Sequence, residues 1–170
     1  MISGPSTARR SIASAVCFSL LLAMTPARAG AGAGAVSPRD MQEIRDLFSS
    51  QTKAETDHDL AALNEMFASG YPGQPDPVSF VARAYRFWGK DAVIAHFQKA
   101  FAGTWSVEPD ETAVRLIPLN DETVQIYAPT RVTIGAPGKA AATSVFLINE
   151  FAVRTPSGWK IAAVIPVPAQ

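Results

Sequence analysis

Few side chains in this sequence combine the types and spacing that chemistry needs. His58 and His96 are its two histidines. They could pair as acid and base, or as metal ligands. No H-x-x-x-H spacing joins them and no cysteine stands near either, so no metal centre is expected. No G-x-S-x-G, H-E-x-x-H or phosphate-cradling motif occurs. Gly30, Gly32 and Gly34 only superficially resemble a nucleotide loop, and no strand pattern precedes them. No cofactor is expected.

A quieter candidate is Asn149, the one polar residue on the row Val145, Leu147, Asn149, Phe151, Val153. A lone amide on an apolar wall must find a partner or forfeit its solvation, at about 1–3 kcal/mol. Asn149 therefore either bonds a backbone group or another core polar side chain, or orients one polar atom of an otherwise apolar ligand. Phe151, Phe80, Tyr85, Trp88 and Phe97 are the candidates for the apolar wall of such a pocket.

The material available to position these groups is one domain's worth. The chain has 170 residues, 48% hydrophobic and 18% charged, with 15 basic and 15 acidic side chains. That suffices for a packed core, argues against global disorder, and gives no net field for nucleic acid. Arg9 and Arg10 lead into an apolar stretch from Ile12 to Met24, followed by Pro26 and the small-residue pattern Ala27-Arg28-Ala29. This order predicts a secretory signal over residues 1–29, cleaved after Ala29, by the general or the twin-arginine route. The mature protein is expected in the periplasm or outside the cell, away from the membrane. Cleavage would remove Arg9, Arg10, Arg28 and Cys17, leaving 12 basic against 15 acidic side chains and no cysteine. Disulfides and thiol chemistry are thereby excluded from the mature chain.

Residues 30–36 read as a flexible leader and residues 37–170 as the folded domain. Ser37, Pro38 and Asp40 make a helix start, and Met41, Ile44, Leu47 and Phe48 one apolar face running to about Asp57. Asp59 can cap a second, short helix carrying Leu60, Leu63, Met66 and Phe67. A Gly- and Pro-rich loop follows over residues 70–78, then extended chain to Trp88. Gly89 opens a third helix with Val93, Phe97 and Phe101 inward, and Gly103 stops it. From Trp105 the period changes to two, predicting strands over 113–119, 123–134, 144–154 and 159–167 joined by short turns. Helices followed by an antiparallel meander make an α+β layout.

Three segments resemble the NTF2-like superfamily, also described as the SnoaL-like or ketosteroid-isomerase-like cone. Ala54 to Leu63 is similar to the family's A-x-N-x-G-D-x-x-A-L break between the first two helices. Gly89-Lys90-Asp91-Ala92-Val93 is similar to its G-[RK]-[DE]-A-[IV] helix start. Gly158-Trp159-Lys160-Ile161 is similar to its G-W-[RK]-I strand opening. The nearest subgroup is that of small, often exported proteins with a DUF4440 or SnoaL-like domain. The resemblance implies three N-terminal helices packed on a curved, mostly antiparallel sheet around a conical cavity.

The steroid-isomerase pattern implied by the superfamily is not met. Gln51 stands near the position of its first-helix Tyr, and the acid nearest to Phe80 is Asp76, in a loop. The Asp-Arg-Asp set of epoxide-hydrolase-like members is not met in order either. Arg83, Arg131, Asp76 and Glu150 supply the types and read as solvated charges. The run Ala162 to Val167 predicts a greasy cavity end. The strand Val145 to Phe151 is apolar on both faces, which predicts burial on both. If its odd-numbered face meets the helices, Phe146 and Ile148 face outward with Tyr127 and Arg131 and form a homodimer interface. The reading is an exported protein binding an apolar or aromatic small molecule. An isomerase, cyclase or hydrolase with unassigned acid/base residues, and a dimeric interaction domain without catalysis, stand as alternatives.

Overall fold

The computed structural model describes residues 1, 4, 35–83 and 85–170. The predicted signal segment lies outside the described residues, apart from Met1 and Gly4, as does most of the leader. Every element belongs to the compact unit Ala33–Gln170.

Helix α1 (Pro38–Thr56) begins with a capping box: Ser37 accepts from the Asp40 amide while Asp40 accepts from the Ser37 amide, and Pro38 needs no partner at the first position. Its buried stripe starts apolar with Ile44 and Phe48 and continues as Gln51, Thr52 and Glu55. His58 breaks the helix with φ 59°, a left-handed turn that a polar side chain tolerates. Asp59 then caps α2 (Leu60–Met66), accepting from the Ala62 amide at 2.9 Å. In the following loop Asp76 accepts from the Gly70 amide at 2.7 Å. Gly89, at φ 85°, turns the chain from strand into α3 (Lys90–Ala100).

The extended stretch 78–88 is a hairpin, β1 (Ser79–Ala82) and β2 (Tyr85–Trp88). After α3 come β3 (Thr104–Pro109), β4 (Arg115–Asn120), β5 (Thr123–Gly135), β6 (Ala142–Thr155) and β7 (Gly158–Pro168). β3 is an addition to the strands the alternation picked out. Its backbone crosses close to β5: a Cβ on Gly103 would lie 2.0 Å from the Gly135 carbonyl oxygen. The sheet runs β2-β1-β7-β6-β5-β3, with β4 on the other half of β5. All pairings are antiparallel except β1 with β7. The three helices cover one face of this curved sheet, and Phe48, Leu63, Phe67, Phe97, Ile126 and Ile161 are fully buried between the layers.

The face of β6 is reversed from the expectation. Ile148, Glu150 and Ala152 are buried, while Leu147, Asn149, Phe151 and Val153 are half-buried and Val145 is exposed. The even-numbered row is therefore the inner one. Tyr127 pairs with Asn149 and Arg131 with Val145, so Tyr127 and Arg131 share the outer face with the odd-numbered row. Phe146 and Ile148 point the other way, and the dimer surface expected on them is corrected accordingly.

Candidate functional site

Helices α1 and α3, hairpin β1–β2 and the inner rows of β3, β5, β6 and β7 enclose a cavity of about 890 Å³. From α1 it receives Phe48, Thr52 and Glu55, spaced i, i+4 and i+7 on one face. Its walls are mostly apolar or aromatic, including Phe80, Tyr85, Phe87, Trp105, Phe146 and Ile148.

Two acids interrupt this surface. Glu55 is 6% exposed and Glu150 is 2% exposed, and both border the cavity. Gln51, fully buried between them, donates from Nε2 to Glu55 Oε1 at 3.1 Å and to Glu150 Oε1 at 2.9 Å. The Trp105 indole donates to Glu55 Oε2 at 3.1 Å. Glu150 Oε2 and Gln51 Oε1 have no partner among the described residues. Neither acid belongs to an ion pair among the described residues. Burial pushes Glu55 up to about 7, while the two N–H donors pull it down. Burial pushes Glu150 well above the carboxylate range, and the neighbouring Glu55 charge pushes it further. Both shifts favour the protonated carboxyl. Because Glu150 Oε1 accepts from Gln51, a proton on Glu150 falls to the unpartnered Oε2. The two titrate as a pair.

His96 stands on the α3 wall. Its ring lies 4.5 Å from the Phe87 ring and 4.6 Å from the Phe80 ring, and its Nε2 is buried without a partner. Burial lowers its pKa and the Lys99 charge lowers it further, so the imidazole is neutral at pH 7. The cavity therefore presents two buried carboxyls pushed toward their protonated forms and a neutral, half-buried imidazole. That is the equipment of general acid–base chemistry.

The structure places the predicted residues as follows. Phe80 and Tyr85 line the cavity. Phe97 is fully buried, packed on Phe67, Phe80 and Trp105. Trp88 alternates away and is 68% exposed. Asn149 and Phe151 lie on the outer face of the sheet. Asn149 accepts from Gln125 Nε2 at 3.0 Å and donates to the Leu147 carbonyl at 3.3 Å, so its amide is satisfied by protein. Glu150 is a buried wall acid and not a solvated charge. Arg131 does pair at the surface, with Glu108. His58 Nε2 donates to the Trp105 carbonyl (3.1 Å) and the ring stacks on Phe101, apart from His96. Of the cavity's titratable groups, sequence reasoning passed over Glu55, read Glu150 as a solvated charge and set His96 aside for want of metal-ligand spacing. The signal for Glu55 was a polar residue continuing an apolar helix stripe.

Helices on a curved sheet around a mostly apolar cavity define an NTF2-like cone. The chain belongs to the SnoaL-like domain family, whose family model matches residues 44–164. Solved structures share the fold. A candidate dehydratase of the NTF2-like family from Streptomyces avermitilis aligns at TM-score 0.65 and 17% identity, over 77% of this chain and 97% of that one. A candidate aromatic ring hydroxylase from Novosphingobium aromaticivorans aligns at TM-score 0.67 and 16% identity, over 78% and 90%. An NTF2-like superfamily protein from Salmonella enterica serovar Typhimurium aligns at TM-score 0.66 and 14% identity, over 78% and 93%. No curated protein matches the chain significantly.

Proposed function

We propose that this protein binds an apolar or aromatic small molecule in its conical cavity and moves a proton on it. The observation that carries the reading is the pair of buried, cation-free carboxyls, Glu55 and Glu150, in the same cavity as neutral His96. Ionised Glu55 is suited to take a proton from carbon. Glu150 Oε2–H is suited to donate to an oxygen of the ligand where charge develops. Dehydratase and hydroxylase names among the structural neighbours are compatible with a ligand of this kind.

A simple probe is 2-tetralone, an aromatic ketone with exchangeable α-protons. In heavy water, wild type should accelerate their exchange as read by NMR, and Glu55→Gln should abolish the acceleration while binding persists. Binding without exchange in wild type would leave a carrier and remove the catalytic half of the reading.

Export and self-association complete the proposal. Export rests on residues 1–29, and an N-terminus at Gly30 in secreted material tests it. A homodimer through the outer sheet face is supported by its apolar row of Val145, Leu147, Phe151, Ile165 and Val167. Leu147→Glu should then convert a sedimenting dimer to a folded monomer, and a wild-type monomer would end the proposal.

A further inference from the structure

The charged residues bordering the cavity are sorted by depth. The two acids are buried, and the two cations, Arg83 and Lys99, are exposed. Lys99 sits one turn beyond His96 on α3 and is close enough for its charge to act on that ring. Neither cation belongs to an ion pair among the described residues. Arg83 occupies an unusual place. The Ala82–Tyr85 pair closes β1–β2 with a two-residue turn, and Arg83 is held there at φ 51°. Such turns favour Asn or Gly, because other side chains are strained in the left-handed region. An Arg in that position breaks a local rule at the rim of a cavity, where strain of this kind is associated with function.

We propose that Arg83 and Lys99 form an anion-recognising rim, and that the ligand is an aromatic or alicyclic anion lying with its carboxylate or sulfonate at the mouth and its apolar body in the cavity. The inference rests on the cavity being the ligand site. It adds polarity to that reading: charge outside, rings between Phe80, Phe87 and Trp105, and a neutral oxygen toward Glu150. Arginine suits the planar two-oxygen anion and lysine supplies a second, mobile charge. The buried acids lie in the wall of the cavity while the anionic end stays among the exposed cations at the rim.

The test uses an isosteric pair, 2-naphthoate and 2-naphthamide, titrated against the folded protein by calorimetry at low ionic strength. Wild type should bind the anion about tenfold more tightly than the amide, and added salt should narrow the gap. The exposed double substitution Arg83→Gln/Lys99→Gln should erase the preference and leave amide binding unchanged. Ala95→Trp, which fills the mouth, should weaken both probes. Equal affinities in wild type, or a preference surviving the double substitution, would overturn the charged rim alone. Failure of both probes to bind would remove the cavity reading with it. Binding indifferent to Ala95→Trp would place the probes elsewhere and overturn the rim.

Discussion

Helix α1 carries two carboxylates that each accept from a tryptophan indole, and the two have opposite fates. Near its start, Asp40 takes Trp159 Nε1 at 3.0 Å and Arg154 at 2.8 Å on one oxygen, and the Ser37 amide and hydroxyl on the other. Near its end, Glu55 takes Trp105 Nε1 and Gln51, with no cation. The Arg154 guanidinium, then the Trp159 and Ser37 donors, hold Asp40 far below the ordinary 3.8. Burial pushes Glu55 the other way. A neutral donor alone does not keep a buried acid ionised; a cation and a helix N-terminus do. The first arrangement is a clamp that ties α1 to β6 and β7. The second is a titratable group.

Removing the clamp's tryptophan should have the largest effect. Trp159 is 6% exposed, and Arg154 covers its ring at 4.5 Å. Trp159→Ala should cost on the order of 3–5 kcal/mol, read as a lowered denaturant midpoint at unchanged slope. Trp105→Ala should cost less, since that ring already borders empty space. Equal losses would erase the distinction between clamp and site.

The second prediction concerns pH. Glu55 keeps its proton in the folded chain up to about 7, whereas its unfolded value is near 4.5. Between these values the folded state binds more protons, so the stability contributed by Glu55 is full below about pH 4.5 and is lost as pH rises through about 7. The loss is on the order of 3 kcal/mol. Glu150, also raised by burial, contributes a decline of the same sign. His96, with its value lowered from 6.5, works in the opposite direction below that pH. Thermal midpoints should fall between pH 5 and pH 8 in wild type, and Glu55→Gln should flatten the fall.

Asp40→Asn should cost least, about 1 kcal/mol at pH 7, through the cap and its charge. The sign is reversed from Glu55. Wild type holds this contribution above pH 3.8 and loses it as acid protonates Asp40 at lower pH. The variant should therefore differ from wild type at neutral pH and converge with it in strong acid.

Parts of the clamp were legible in sequence, namely Asp40 at its helix start and Trp159 in its motif; their contact through Arg154 and the site were not, for physical reasons. Caps and turns are local: Ser37, Pro38 and Asp40, then Asp59 and Gly89, specify helix starts from adjacent residues. Trp159 is marked by its motif. The site depends on which face of β6 points inward, and both of its rows are largely apolar. Choosing the more apolar row, Val145 to Val153, as the inner one follows the usual rule for a solid core. Here the rule is inverted, because the inner row of β6 carries buried Glu150 between Ile148 and Ala152 while the more apolar odd-numbered row faces outward. Glu150 decided the parity, and only beside Gln51 and Glu55 on α1 does its burial make sense.

One consequence follows from how β1 is attached. It is registered on β7 at Ser79–Ala163 and Phe80–Val164, joining segments distant along the chain, whereas β5, β6 and β7 form a continuous meander of local hairpins. The β1–β2 hairpin carries Phe80, Tyr85, Phe87 and Arg83, one whole side of the cavity. Segments held by few ladder bonds open by local unfolding at far less free energy than the global transition. The hairpin is therefore the cavity wall with the shortest ladder to the rest of the sheet, and its packing of Phe80 and Phe87 against His96 on α3 does what the ladder does for the meander.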